Sequence, residues 1–271
     1  MTSSRISQTS GRSFSTSFFR NPQSYDKLAA DVVPQLLEAA RADGALRVWT
    51  PGCATGEEPY SIAILLHDAM LSLSEPIEIQ IFATDISAEA VARARVGVYS
   101  AESLEAVPQR LREQCFEPLQ GGLYRLIPAV REMVSFAIHD LCTDPPFSRM
   151  NLVCCRNVLI YMRPEAQERL GRLFHFALRS GGVLFLGASE SLGTNASLFQ
   201  VVSKGDRIFR KTAGSVALAP PQGAAGYRQR TYEVAPPSAE RRAARRPARS
   251  SADHARDALL SLLPAAVVVD A

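Results

Sequence analysis

From about residue 14 to residue 212, stretches with helical spacing of apolar residues alternate with short apolar runs. Four stretches place their apolar residues three and four positions apart, as in an amphipathic helix. These stretches cover residues 28–42, 57–73, 88–95 and 164–179. Shorter apolar runs between them are typical of buried strands. These runs cover residues 46–50, 77–83, 134–138, 151–155 and 183–188. Strands separated by helices predict a parallel sheet with helices packed against it.

Local signals predict where the helices begin, bend and end. Pro34 should either kink the first helix or mark its true start, since proline lacks a backbone N–H, and Gly44 should end it. Ser87 is a candidate N-cap for the third helix. Pro164 should begin the last helix, and the run that contains Gly181 should end it.

The pattern ends in a hairpin. The segments FQVVS and RIFRK flank Lys204, Gly205 and Asp206, residue types that favour a tight turn. Because hairpin strands are antiparallel, the last strand should run against the others. We therefore predict an α/β fold with a doubly wound, mostly parallel sheet and an antiparallel last strand.

Composition divides the chain into four regions. Residues 1–13 are polar and should be disordered, whereas residues 14–212 carry the whole periodic pattern. Residues 213–254 are rich in Ala, Pro and Arg and predict a disordered linker. Residues 255–271 become apolar again and predict the start of a truncated second domain.

Charge and cysteine content narrow the classes of function. The net charge is +3, but residues 227–256 hold eight Arg against three acids, a local +5, so the remainder carries about −2. That balance argues against nucleic acid as a partner. The five cysteines lack CxxC spacing and predict reduced thiols in a cytoplasmic protein. No apolar run approaches the roughly 20 residues of a membrane span, so we expect no membrane insertion.

The segment VWTPGCATGEEPYS is the strongest candidate for a ligand site. A buried strand leads into Gly52 and Gly56, which allow a tight turn and a close approach of ligand to backbone. Glu57 and Glu58 then open a helix. They would repel a phosphate but suit an ammonium or sulfonium cation. They could equally be acids that complement the helix dipole.

A second candidate is Asp85, which ends the next strand in the segment FATDI. An acid at this place can accept hydrogen bonds from both hydroxyls of a ribose. The alternative is that Asp85 caps the helix that follows.

Four segments in order, RVWTPGCATGEEPYSIA, FATDI, CRNVLIYM and LGASESLG, resemble the CheR-type chemoreceptor methyltransferase family, and STSFFR at residues 15–20 is similar to that family's opening motif. The resemblance implies a Rossmann-like, S-adenosylmethionine-dependent methyltransferase fold with a small β-subdomain insertion at about residues 100–134. It also implies S-adenosylmethionine as cofactor, with S-adenosylhomocysteine as product.

The resemblance further assigns roles to individual residues. Cofactor contacts would come from the following set: Thr16, Arg20, Gly52, Glu57, Glu58, Asp85, Asp140, Leu141, Arg156 and Asn157. Within it, Glu57 or Glu58 would hold the ammonium, and Asp140 with Leu141 would flank the adenine. Arg20 and Tyr161 would act at the reacting centre. Arg156 could instead be a structural arginine that pairs with an acid, and Tyr161 could be an ordinary residue at the edge of the hydrophobic core.

This chemistry requires little from the protein beyond geometry and charge. A sulfonium methyl is already activated, and a glutamate side chain is already ionised near pH 7. An in-line displacement therefore needs no general base, only alignment and a cation that holds the incoming carboxylate. Arg20 could be that cation, and we expect no metal.

The resemblance implies methyl-accepting chemoreceptor cytoplasmic domains as partners, and we expect a monomeric catalytic domain. Residues 255–271 resemble the entry to a PAS-type sensory domain, as in proteins that fuse methylesterase, methyltransferase and sensor modules. Two alternatives stay open. One is a methyltransferase for another protein or a small molecule. The other is a degenerate module that binds S-adenosylmethionine, or docks partners, without catalysis.

Overall fold

The computed structural model describes residues 16–212. The predictions for residues 1–13, 213–254 and 255–271 lie outside this range. The helices within it are α1 (Pro22–Lys27), α2 (Val33–Asp43), α3 (Glu57–Met70), α4 (Ala88–Val96), α5 (Gln109–Cys115), α6 (Pro128–Arg131) and α7 (Pro164–Ala177).

The strands of the described part fall into two sheets. They are β1 (Ala45–Pro51), β2 (Glu78–Asp85), β3 (Val98–Ser100), β4 (Phe116–Pro118), β5 (Leu123–Leu126), β6 (Val134–Ile138), β7 (Met150–Cys155), β8 (Leu178–Leu186), β9 (Phe199–Ser203) and β10 (Ile208–Lys211). The larger sheet has the order β6-β2-β1-β7-β8-β10-β9. Its first five strands pair in parallel, whereas β10 is antiparallel to both neighbours. The predicted doubly wound sheet with an antiparallel last strand is confirmed.

Helices and loops cover both faces of this sheet, and each face has its own core. Alternate residues of β1 divide between them, with Val48 in one core and Trp49 in the other. Every residue of β7 is buried, as expected for a central parallel strand. The strand order reverses between β1 and β7, so ligands should bind where the carboxyl ends of these two strands separate.

The first helical region starts earlier than the sequence predicts. It begins at Pro22, and residues Leu28–Val32 form a π-helical turn before α2. Pro34 follows directly and cannot donate to the preceding turn, so a widened turn accommodates the missing hydrogen bond. Pro34 therefore does mark the irregularity, and Gly44 ends α2 in the left-handed conformation, as predicted.

The last helix ends earlier than predicted. It stops at Ala177, and β8 starts at once with Leu178, instead of after the run that contains Gly181. The Lys211 Nζ donates to the carbonyls of His175 and Leu178, each at 2.7 Å, and so satisfies the helix end. This partner lies 33 or more residues away in sequence, which is why local signals did not predict the boundary.

The small β-subdomain is a three-stranded antiparallel sheet with the order β3-β5-β4. It joins the main domain through aromatic contacts: the Phe18 ring meets those of Tyr99 at 4.8 Å and Phe116 at 5.7 Å, edge to face. The Tyr99 hydroxyl also donates to the Thr55 carbonyl at 2.8 Å, which ties the insertion to the loop after β1.

Candidate active site

The loop between β1 and α3 has no room for side chains at its two glycines. Gly52 has φ +71°, and a Cβ there would lie 2.4 Å from Cγ2 of Val158, in the loop after β7. Gly56 has φ +99°, and a Cβ there would lie 2.8 Å from the Tyr99 hydroxyl. Gly52 therefore lets the loops after β1 and β7 approach each other at the reversal of strand order, whereas Gly56 lets the start of α3 approach Tyr99.

Asp85 fixes this loop to the end of β2. One carboxylate oxygen accepts from the Ala54 N–H at 2.8 Å, and the other accepts from the Ser87 N–H at 2.9 Å. The side chain of Ser87 caps α4 by accepting from Ala90, so Asp85 is not the N-cap. A carboxylate has about four acceptor positions, so two remain for hydroxyl donors. Asp85 lies at the predicted edge of the crevice, partly exposed.

Two exposed apolar side chains border Asp85. Ile86 is 70% exposed directly after it, and Ile138, 60% exposed, pairs with it in register at the end of β6. Exposed isoleucines at a ligand crevice offer a flat ring a surface to pack on. Neither isoleucine was predicted as a site residue, although Ile86 stands inside the segment FATDI.

The turn after β6 contains Asp140 and Leu141. The Asp140 carboxylate accepts from the Cys142 N–H at 2.8 Å, and this hydrogen bond holds the pKa of Asp140 below its usual value. Leu141 is buried in the core beside Trp49. Because the His139 N–H donates to the Asp85 carbonyl, the turn lies beside the end of β2. The structure thus brings this pair to the crevice, with the Asp140 side chain already engaged in the turn.

The two acids of the first turn of α3 have different surroundings. The Glu57 carboxylate accepts from the Thr55 hydroxyl at 2.7 Å, and burial raises its pKa. Glu58 accepts from the Cys154 thiol at 3.4 Å and lies 3.9 Å from Nη1 of Arg156. Burial raises the pKa of Glu58 to about 7, although the charge of Arg156 opposes the shift. A favourable helix dipole requires no burial, so the dipole alone does not explain the position of Glu58.

Arg156 is buried with unsatisfied donors. Its side chain is 1% exposed, and its guanidinium lies over the rings of Tyr25, at 5.0 Å, and Phe185, at 4.6 Å. Its Nε and Nη1 have no hydrogen-bond partner among the described residues. The Glu58 oxygen at 3.9 Å is too distant for a hydrogen bond. Buried donors normally find partners, so these two are suited to an oxygen supplied by a ligand.

Arg20 lies in a segment with an unusual backbone. Its neighbours Phe19 and Asn21 have φ values of 46° and 62°, a conformation that non-glycine residues seldom adopt. The Phe19 N–H donates to the Ser61 hydroxyl of α3 at 2.9 Å, and Phe18 is wholly buried. The segment is therefore anchored by its phenylalanines, while Arg20 is exposed and Thr16 is half-buried before it. Strained backbone that is held in place this way is common at functional sites.

The loop after β7 carries Arg156, Asn157 and Tyr161. Asn157 adopts a left-handed conformation with φ 58°. Tyr161 is 61% exposed at the end of a short 3-10 turn, so it is not a core edge. Glu190, which was not predicted as a site residue, is a buried carboxylate that accepts the Asn157 N–H at 3.0 Å. Its only signal was its place in the segment LGASESLG.

The described part of the chain has no helix long and apolar enough to cross a membrane. Nor does any group of three or more His, Cys, Asp or Glu side chains among residues 16–212 have a geometry that could hold a metal ion.

Comparison with known proteins identifies the family to which this fold belongs. A family model described as CheR methyltransferase, SAM binding domain, matches residues 15–208. This chain belongs to the CheR methyltransferase family. The match covers the β-subdomain, the segment around Arg20 and the larger sheet up to the first residue of β10. S-adenosylmethionine is therefore the cofactor of the fold.

Individual relatives agree with the family match. The chain is 45% identical over 195 residues to an uncharacterized 104.1 kDa protein in the hypE 3' region of Rhodobacter capsulatus, covering 72% of this chain and 20% of that protein. It is 38% identical over 177 residues to a chemotaxis protein methyltransferase of Listeria innocua, covering 65% of each. It is 32% identical over 202 residues to chemotaxis protein methyltransferase 2 of Vibrio cholerae, covering 73% of this chain and 68% of that protein.

The residues at the crevice fit this cofactor. Glu57 and Glu58 stand at the start of α3, where carboxylates would suit a sulfonium or an ammonium and would repel a phosphate. Asp85 has acceptor positions for ribose hydroxyls, and Ile86 and Ile138 supply apolar surface for a purine.

The raised pKa of Glu58 predicts a pH dependence of stability. The folded protein holds the Glu58 proton more tightly than the unfolded chain does, because burial penalises the carboxylate. Its contribution to stability is thus complete below the unfolded pKa of about 4.3 and is lost as pH rises towards 7. We expect the free energy of unfolding of the wild type to fall over this window relative to that of Glu58→Gln. Urea denaturation of both proteins at several pH values tests this, and parallel pH profiles would contradict it.

Proposed function

We propose that this chain transfers a methyl group from S-adenosylmethionine to glutamate side chains of chemoreceptor cytoplasmic domains, forming methyl esters. The observation that carries the proposal is the buried Arg156, whose unsatisfied N–H groups lie beside Glu58 at the end of β7. A cation with unused donors suits a carboxylate substrate. The names of the Listeria and Vibrio relatives support chemotaxis as the setting, and we extend this to a cytoplasmic location and a monomeric catalytic domain.

The residues divide into two groups by the part of the reaction that they serve. S-adenosylmethionine supplies an activated methyl group when bound. We assign Asp85 to the ribose hydroxyls, Glu57 or Glu58 to the ammonium, and Ile86 and Ile138 to the adenine. The remaining cofactor assignments, to be tested in the same way, are Thr16, Gly52, Asp140, Leu141 and Asn157.

The second group acts on the substrate carboxylate. We assign Arg20 to its capture and Tyr161 to its orientation, since both side chains are exposed and can meet an incoming protein. Arg156 lies deeper and would attract the negative charge towards the methyl group. Because the glutamate is already ionised near pH 7, no residue needs to remove a proton. Catalysis then depends on alignment and on neutralising charge.

The test combines binding and turnover. Isothermal titration with S-adenosylhomocysteine should show stoichiometric binding. Incubation with labelled S-adenosylmethionine and receptor-bearing membranes should then give methyl groups that alkali releases as methanol. Receptors whose methylation-site glutamates are changed to alanine serve as the control. Binding without alkali-labile label would refute the proposal and favour a non-catalytic module, whereas label that persists on the control receptors would indicate another substrate.

Asp85→Asn should weaken cofactor binding. The amide keeps the size of the side chain but loses the charge, and its NH₂ group faces a backbone N–H of Ala54 or Ser87. Loss of charge-assisted hydrogen bonds of this kind costs about 1.5–3 kcal/mol, or roughly a 10- to 150-fold weaker affinity for S-adenosylhomocysteine. Asp68→Asn, which breaks an ion pair with Arg110 at the far end of α3, is the matched control and should bind normally. Equal affinity of the Asp85 variant and wild type would reject the ribose assignment.

A further inference from the structure

Glu190 is a buried carboxylate that holds the backbone of the loop after β7. It is 2% exposed. Its Oε2 accepts from the N–H groups of Gly187, at 2.7 Å, and Asn157, at 3.0 Å, and its Oε1 accepts from the N–H of Leu159 at 2.7 Å. One side chain therefore satisfies three backbone donors, two of them inside the segment that connects Arg156 with Tyr161.

The surroundings of Glu190 leave little freedom. Asn157 has φ 58°, a left-handed conformation that asparagine adopts more readily than most residues. A Cβ at Gly187 would lie 2.8 Å from Oε2 of Glu190 and 2.9 Å from the Asn157 nitrogen, so only glycine permits this approach. Glu190, Gly187 and Asn157 thus pack closely against one another between the ends of β7 and β8.

A second side chain binds the same loop through its carbonyl groups. Nε2 of Gln167, on α7, donates to the carbonyls of Leu159 and Met162, each at 3.0 Å. Glu190 accepts hydrogen bonds from N–H groups of this loop, and Gln167 donates hydrogen bonds to its carbonyls. The short turn that ends at Tyr161 is therefore restrained through both its backbone donors and its backbone acceptors. A loop that is held on both sides can present its side chains at a constant distance from a reacting centre.

We propose that Glu190 is the positioning residue of the methyl-transfer site: it fixes the backbone between Arg156 and Tyr161 so that these two side chains meet the substrate carboxylate in line with the methyl group. Glu190 does not touch the reactants. The inference rests on the proposed function and adds to it the side chain on which the reactive geometry depends. Charge-assisted hydrogen bonds suit this task because they are shorter and stronger than neutral ones.

The test uses Glu190→Gln, which keeps the volume of the side chain but replaces one acceptor oxygen with an amide NH₂ group that faces backbone N–H donors. We expect kcat for methyl transfer to fall about 100-fold, the scale of a displacement of about 1 Å. Affinity for S-adenosylhomocysteine should fall less, by no more than about tenfold, because Asn157 is the one residue of this loop that we assign to the cofactor. Amide hydrogen exchange at Asn157 and Leu159 should accelerate. Glu190→Asp keeps the charge, and hence a foldable core, but cannot reach all three donors, so it should lose about tenfold in kcat.

Asn151→Leu is the matched control. Asn151 is also buried, and its Oδ1 accepts a backbone N–H, that of Arg47, at 2.9 Å, but it lies at the opposite end of β7. We expect it to lower the melting temperature while leaving kcat near that of the wild type. The proposal is overturned if the Glu190 variants lose no more kcat than Asn151→Leu, or if exchange in the loop is unchanged.

The two proposals fail in different ways. If the wild-type protein transfers no methyl group to receptors, the proposed function fails. Hydrogen exchange still decides whether Glu190 orders the loop, because protection of the Asn157 and Leu159 amides is measured without substrate. Unchanged protection in Glu190→Gln would then overturn the positioning role independently of activity.

Discussion

Arg156→Leu should lower the rate of methyl transfer by at least about 1,000-fold, because it removes a buried cation from the path of an anionic substrate. Loss of one partner of a buried charged pair costs about 3–5 kcal/mol when the other partner stays ionised. Glu58 can avoid most of that cost. Its pKa is already raised to about 7, and removal of the Arg156 charge raises it further, so Glu58 takes up a proton. We therefore expect turnover to suffer far more than stability.

Single-turnover kinetics, calorimetric melting and titration with S-adenosylhomocysteine separate these effects. The matched control is Arg47→Leu. Arg47 also stacks on a ring, 5.2 Å from the centre of Phe82, and also buries an Nε without a partner among the described residues, but it lies towards the amino end of β1. If Arg156→Leu and Arg47→Leu lose stability equally and both retain turnover, Arg156 is a structural arginine.

Arg156→Lys distinguishes charge from shape. An ammonium keeps the positive charge but lacks the extended planar group that lies against the rings of Tyr25 and Phe185, and it cannot present a planar pair of donors. We expect Glu58 to stay partly paired and the fold to be retained, while turnover recovers by no more than about tenfold over the leucine variant.

The sequence predicted the parts of the site whose signals are local. Gly52 and Gly56 could be recognised because a tight turn after a buried strand demands glycine, whatever the rest of the chain does. Asp85 could be placed because the ends of parallel strands meet at one edge of the sheet. The roles of Arg156 and Tyr161 came from family resemblance, since neither spacing nor composition distinguished them from structural residues.

Other features depend on contacts between distant segments and could not be predicted in this way. Glu190 lies 33 positions after Asn157, and only the folded chain shows its carboxylate beneath the loop. Tyr25 is similar: the centre of its ring lies 5.0 Å from the Arg156 guanidinium, 131 positions away in sequence, and Tyr25 precedes the helical pattern that begins at residue 28. Side chains that support a candidate site through contacts with distant segments cannot be recognised from the sequence around them.

The surroundings of Arg20 also change what its substitution should do. A second possible role for Arg20 is to order the amino-terminal segment by pairing with Glu57 or Glu58. In the structure that segment is anchored by Phe18, packed between Tyr99 and Phe116, and by the Phe19 N–H bound to Ser61. Neither anchor uses the Arg20 side chain, so its truncation should leave both anchors in place.

We therefore expect Arg20→Ala to reduce methyl transfer severely without unfolding the protein. If Arg20 holds the incoming carboxylate, its loss should cost about 3 kcal/mol or more in the transition state, roughly a 150-fold lower kcat/KM. Arg20→Lys should recover little of it, because an ammonium lacks the planar pair of donors. Lys27→Ala, which breaks an exposed pair with Asp31 on the adjoining helix, is the control and should be fully active. Wild-type turnover in Arg20→Ala would exclude the catalytic role, whereas a lower melting temperature with proportionate loss of activity would return Arg20 to an ordering role.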